Sequence, residues 1–176
     1  VQTCALPISA FVLDHAEARF AMAEDQEQVD KLIEIKERCA NLEAIVYDDS
    51  RGMRHYHQAY LTAYDDLLAR GRDFERDNPK FFDAEVAKGS ASDTSIILYT
   101  SGTTGQPKGV VLSFDNVIRS AHNAIEFDGL NDEEEMLAYL PMAWVGDHIF
   151  SYGQNYCGGF CVSCPESSAT VMHDLW

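Results

Sequence analysis

Positive charge is what this chain has least of. Lys and Arg number 13 against 29 Asp and Glu, a formal net charge of -16 over 176 residues. Nucleic acid and anionic lipid headgroups are held mainly by basic surface, so neither is an expected partner. Long apolar runs are missing too: no stretch approaches the ~20 residues that span a bilayer. There is no internal repeat, low-complexity tract or interdomain linker. The composition, 46% hydrophobic and 24% charged, is that of a globular domain large enough for a real core. Cysteines number five, an odd count, and the opening residues do not read as a secretory leader. Reduced thiols in a cytoplasmic setting are the expectation.

Metal and nucleophile constellations are equally thin. Cys157, Cys161 and Cys164, with His148 and His173 near them, lack the second tight Cys pair of a structural zinc site. Cys161 and Cys164 fall on or beside an apolar strand, where an odd separation turns side chains to opposite faces. They read as small buried hydrophobes. Ser101 has no histidine near it in sequence, and His55-Tyr56-His57 reads as a turn.

One segment stands against this plain background. Tyr99-Thr100-Ser101-Gly102-Thr103-Thr104-Gly105-Gln106-Pro107-Lys108-Gly109 packs three glycines, four Ser/Thr hydroxyls and a lysine directly after the apolar run 96–99. Glycine lets successive N–H groups converge on one anion. Hydroxyls add short hydrogen bonds, and lysine adds a mobile positive charge. Each hydrogen bond to a charged group contributes roughly 1.5–3 kcal/mol net. A handful holds a polyphosphate even on an acidic protein. The segment is not a Walker A loop, because Lys108 is followed by Gly109 rather than Ser or Thr and leads into a strand rather than a helix. The bland alternative is a glycine-rich hairpin without a ligand.

Around this loop the pattern is that of an α/β fold, strands alternating with helices in layers. Residues 19–23 and 43–47 read as strands joined by a helix that Asp25 caps, with Val29, Leu32, Ile33 and Cys39 at helical spacing and pairs Glu27–Lys31 and Glu34–Arg38. The two strands should pair in parallel. A helix is expected from Thr62 to about Ala69, closed by Gly71, and another from Asn78-Pro79; both read as solvated surface. Residues 94–99 and 109–112 read as buried strands flanking the loop. Ser113 should cap a helix with Val117, Ile118, Ala121, Ala124 and Ile125 on one face, ending at Gly129. An acidic turn at 131–135, a strand at 136–140, a helix at 145–156 and a strand at 160–163 complete the pattern.

The string from Tyr99 to Gly109 resembles the phosphate-binding signature of the adenylate-forming (AMP-binding) superfamily, which includes acyl-CoA synthetases, luciferases and peptide-synthetase adenylation domains. Residues 24–32 and 45–49 upstream, with 112–116 and 139–144 downstream, look like long-chain fatty-acid–CoA ligases. The resemblance spans about residues 10–175. It implies part of an adenylate-forming N-terminal domain at 9–176, with the phosphate loop between two strands. Residues 1–8 match nothing in the family and read as an artefact or a non-family segment. The ends read as cuts, so the chain on its own is expected not to make acyl-adenylate.

The same resemblance implies a ligase for ATP, a fatty acid and coenzyme A, with Mg²⁺ as the metal. Thr100 is then the magnesium contact; Ser101, Gly102, Thr103, Thr104 and Gly105 cradle phosphate; Lys108 neutralises its charge. Lys108 and Thr104 are the implied catalytic pair. Trp144 stands where the family lines its acid-substrate site, at a point where long-chain ligases often carry histidine, which leaves acyl specificity open. Phe114 likewise replaces a frequent histidine. Peripheral membrane contact of the parent enzyme is compatible with this. Open alternatives are an adenylating enzyme for an aryl acid, an amino acid or a carrier protein, and a non-catalytic phosphate-binding module.

Overall fold

The computed structural model describes residues 5–100, 107–167 and 169–174. They form two compact units, residues 1–88 and 89–176. No described helix is long and apolar enough to cross a membrane.

The first unit is built on a parallel sheet in the order β1 (Phe20–Ala23), β2 (Ala44–Tyr47), β3 (Leu61–Ala63). Between β1 and β2 runs α2 (Gln26–Ile35), capped as expected: the Asp25 carboxylate accepts from the Gln28 N–H at 3.0 Å. The apolar stripe of α2 delivers Val29 and Ile35 to the core. Ile35, Cys39, Leu42 and Ile45 close around Ala21 and around Ala10 of α1 (Ala5–His15). Each large apolar side chain buried here stabilises by roughly 1.5–3 kcal/mol. The Cys39 thiol, pushed up by burial, donates to the Ala10 carbonyl at 3.7 Å. On the opposite face of β1, Phe20 and Met22 stay exposed, the alternation a strand imposes.

Several expectations for this unit are corrected. Lys31 meets Glu27 at 2.9 Å, but no Glu34–Arg38 ion pair forms among the described residues. The chain tightens into a 3-10 turn at Lys36–Arg38, which takes Arg38 out of i,i+4 register. Residues expected to open a helix at Thr62 instead pair with β2, whose edge is open to them; α3 (Tyr64–Asp77) starts after them. Gly71 lies inside α3, with open space where a Cβ would stand, so it terminates nothing. Pro79 precedes α4 (Phe81–Val86) rather than opening it. Both helices are solvated along their length, joined by an edge-to-face contact of Phe74 and Phe81 at 4.9 Å.

The segment 55–57, expected as a turn, is the end of a 3-10 helix (Met53–His55) running into extended chain, and it ties α2 down. Tyr56 Oη donates to Asp30 Oδ1 at 2.5 Å and accepts from Gln26 Nε2 at 2.8 Å. Gln26 also lies against Gly52, where a Cβ would come within 2.0 Å of Gln26 Oε1 and φ is +83°. Glycine is required there on both counts.

In the second unit β4 (Thr94–Thr100) and β5 (Lys108–Ser113) form an antiparallel pair. These strands are not buried as expected: Val111 is 58% exposed, and Ile97 and Val110 are exposed from opposite faces. A ladder of two strands with a helix at one end leaves most of its area accessible. The helix is α5 (Phe114–Asp128), with a reciprocal cap between Ser113 and Asn116 and a left-handed Gly129 at its end, φ +68°. Next, β6 (Glu135–Leu137) pairs in parallel with β7 (Cys161–Ser163). It ends before Leu140 because the Tyr139 N–H turns back to the Leu137 carbonyl at 3.1 Å.

The helix expected over 145–156 is a π-helix at Asp147–Gly153 followed by α6 (Gln154–Gly158). The wider coil seats Gly153 against α5: a Cβ there would stand 3.2 Å from the Ala121 Cβ. Cys161 and Cys164 are exposed and Cys157 half-buried, against the expected burial, because β7 pairs on one side only among the described residues. A short helix, α7 (Val171–Asp174), ends the described chain.

The Tyr56 hydroxyl carries a pH prediction. Its hydrogen bond to the Asp30 carboxylate raises its pKa, because ionisation breaks the bond and sets two anions together. A raised folded value means the contribution is complete below the ordinary phenol value of about 10 and is lost as pH rises through the folded value. Absorbance titration at 295 nm should show a late-ionising tyrosine that Tyr56→Phe removes. A titration unchanged by Tyr56→Phe would contradict the bond.

Candidate functional site

The last rung of the β4–β5 ladder pairs Thr100 with Lys108. Residues directly opposite in an antiparallel pair have Cα atoms about 5 Å apart. The ladder therefore returns the chain, after the seven residues 101–107, to within one side chain's reach of where it left. Both Thr100 and Lys108 are exposed, and no described carboxylate pairs with Lys108. In a chain of net charge -16, an ammonium without an acidic partner is a local positive centre. Below this rung, Tyr99 faces Gly109, where a Cβ would lie 3.0 Å from Ile97 Cγ2 and 3.3 Å from Tyr99 Cζ. The missing side chain lets the Tyr99 ring lie across the strand, a cross-strand rescue of a strand glycine. Ser101, Gly102, Thr103, Thr104 and Gly105 lie outside the described residues.

A second element of the unit presents Trp144. It is 60% exposed, so it does not fill the core. Its backbone is held twice: Trp144 N–H donates to the Pro141 carbonyl at 2.9 Å, and its carbonyl accepts from Asp147 N–H at 3.2 Å. Asp147 opens the π-helix, buried, and accepts from Ser151 Oγ at 2.8 Å. Gln154, 1% exposed, has no partner for Nε2 or Oε1 among the described residues. Ser95, Ile96, Phe114, Val117, His148 and Tyr152 line a cavity of about 290 Å³ between β4, α5 and the π-helix. The Tyr152 hydroxyl is pushed up by burial, and further by the nearby Asp147 carboxylate.

The profile of the AMP-binding enzyme family matches residues 8–176. The chain belongs to that family. It is 28% identical over 140 residues to a long-chain-fatty-acid–CoA ligase of Xenopus laevis, covering 77% of this chain and 18% of that protein. It is 41% identical over 118 residues to the 2-succinylbenzoate–CoA ligase of Bacillus cereus (strain AH820), covering 60% of this chain and 24% of the relative. The chain thus spans about a fifth of the length of these curated relatives. In fold it is similar to the anthranilate CoA ligase AuaEII solved with anthranoyl-AMP: TM-score 0.67, 19% identity, 97% of this chain and 30% of that one.

Within the AMP-binding family frame, the described structure brings Thr100 and Lys108 together and sets Trp144 apart on its own turn. Sequence reading missed the π-helix and its buried polar stripe. The spacing of Asp147, Ser151 and Gln154, one above another on a helix, was the available signal. Sequence reading weighed His148 only beside the cysteines and missed that its Nε2 lies 2.7 Å from the Met142 carbonyl. A contact across six residues follows from the local turn, and no helical or strand period anticipates it.

The seat of the π-helix yields a prediction. Gly153→Val would press new methyls into Val117, Ala121 and the His148 carbonyl, all within 3.3 Å of the added Cβ. Overpacking of this kind costs about 1–3 kcal/mol. The midpoint of chemical denaturation should fall accordingly, and an unchanged midpoint would show that α5 and the π-helix are not in close contact.

Proposed function

We propose that this chain is part of an ATP-dependent acid–CoA ligase, with residues 9–176 belonging to its adenylating domain and a long-chain fatty acid as the substrate. The observation that supports this most is the rung of Thr100 and Lys108, the latter without a carboxylate partner among the described residues, at the ends of a segment of glycines and hydroxyls. Membership of the AMP-binding family and similarity to a long-chain ligase support the substrate class. In the reaction, the acid's carboxylate attacks the α-phosphate of ATP, giving acyl-adenylate and pyrophosphate. The coenzyme A thiol then displaces AMP to form the thioester.

The residues of the hairpin do electrostatic work. Lys108 meets the negative charge that builds on the departing pyrophosphate, and the hydroxyls and amides of Ser101, Gly102, Thr103, Thr104 and Gly105 hold the phosphates in place. Thr100 offers a hard hydroxyl oxygen beside them. A single exposed hydroxyl fits Mg²⁺ as one protein contact to an ion held mainly by phosphate oxygens. When bound, that ion offsets phosphate charge. Trp144, exposed on a hydrogen-bonded turn, provides an apolar wall for the acid.

A second reading is that the acid is aromatic or otherwise not a long chain. It is favoured by the 41% identity to the 2-succinylbenzoate–CoA ligase. Pyrophosphate release screened across acids separates the two. The role of Lys108 has its own test in the complete enzyme. Lys108→Ala should slow acyl-adenylate formation about 10²-fold, the scale of losing one preorganised charge-stabilising group, with the melting temperature little changed. Equal rates in a rapid-quench assay would remove Lys108 from the mechanism.

A further inference from the structure

We infer that His148 is a positioning residue for the acid-binding site, acting through the turn that presents Trp144. The inference rests on the reading of Trp144 as an acid-binding wall.

The turn is short of restraint on its own. Residues 141–144 are all exposed and lie outside every strand and helix, the helical backbone starting at Val145. Beyond the bond from Trp144 N–H to the Pro141 carbonyl within the turn, what fixes them comes from the first coil of the π-helix. Asp147 N–H ties back to the Trp144 carbonyl at 3.2 Å, and His148 Nε2 reaches the Met142 carbonyl at 2.7 Å. Gly146 lies close under Leu140, where a Cβ would stand 3.0 Å from Leu140 Cδ1. Three anchors thus hold the stretch from Leu140 to Asp147, and His148 supplies the side-chain hydrogen bond among them.

The chemistry of that anchor is unambiguous. A carbonyl oxygen only accepts, so the imidazole must donate, and the proton sits on Nε2. The ring is itself steadied by Tyr152, one coil on, with centroids 5.9 Å apart and planes inclined at 35°. Tyr152 and His148 both line the 290 Å³ cavity, so the anchor sits at the wall between that cavity and the Trp144 turn. Asp147 is held from the other side by Ser151 at 2.8 Å, which keeps the first coil in place while His148 reaches forward. Remove the donor and Met142 loses its tether, and Trp144, two residues on, gains freedom that acid binding must then take away.

The test is kinetic, in the complete ligase, with acid and ATP varied separately. Trp144→Ala should raise the KM for the acid. His148→Phe keeps a flat ring against Tyr152 without a donor. It should raise the acid KM about three- to tenfold, the range one net hydrogen bond accounts for, while the KM for ATP stays within twofold. His148→Gln, with an amide N–H able to reach Met142, should recover most of the loss. In a Trp144→Ala background, His148→Phe should add nothing further. If Trp144→Ala raises the acid KM and His148→Phe does not, or if Gln is no better than Phe, the inference is overturned and the acid-site reading stands. A silent Trp144→Ala refutes that reading and the inference with it. Should His148→Phe fail to fold, His148→Asn, whose amide falls short of Met142, takes its place with the same outcomes.

Discussion

Antiparallel pairing between β4 and β5 is the constraint on which the rest of the candidate site depends. Register fixes which residues meet at the end of the ladder, and here it sets a hydroxyl opposite a lysine at the mouth of a glycine-rich loop. A slip of one residue would send every side chain to the other face. It would also move Gly109 away from the Tyr99 ring that fills its place. The rung at Thr100 and Lys108 is therefore held from below by packing at Tyr99, Gly109 and Ile97, as well as by main-chain hydrogen bonds.

The same strand that ends the ladder starts the next element. Ser113 closes β5 and caps α5, so the position of the hairpin and the direction of the helix are set by adjacent residues. Against α5 lies the π-helix, admitted to close range by Gly153, and from the start of the π-helix the Trp144 turn is suspended. Phosphate-facing and acid-facing candidates are thus joined within one unit by a run of chain connectivity, close packing at Gly153 and main-chain hydrogen bonds. Buried Asp147 and Gln154 sit along that run. A π-bulge with buried polar groups is a common companion of functional sites, and here it determines where a tryptophan is shown to solvent.

Much of this was legible from residues alone, for identifiable reasons. Caps are local: Asp25 and Ser113 each satisfy an amide three residues away, and Gly129 takes the left-handed φ its type allows. Helical spacing around Val29 and Ala121 reported burial correctly, both being fully enclosed. The loop's composition pointed to the AMP-binding family because few other uses combine glycines, hydroxyls and lysine so densely. What was not legible depends on distant partners. Leu61–Ala63 became a strand only because β2 had an open edge, which no three-residue pattern announces. Apolar runs at 94–99 and 109–112 looked buried because hydrophobicity reports capacity for burial, whereas coverage comes from other elements. The π-helix escaped notice because it continues directly from helical residues at 145–146 into α6, so the whole stretch reads as one helix.

Amide hydrogen exchange across residues 100–109 of the complete enzyme, with and without saturating ATP and Mg²⁺, tests the central claim most directly. Nucleotide held by the hairpin should slow exchange at these amides more than elsewhere in the second unit. Unchanged exchange there, with nucleotide binding verified by calorimetry, would place the phosphates somewhere else and contradict the account.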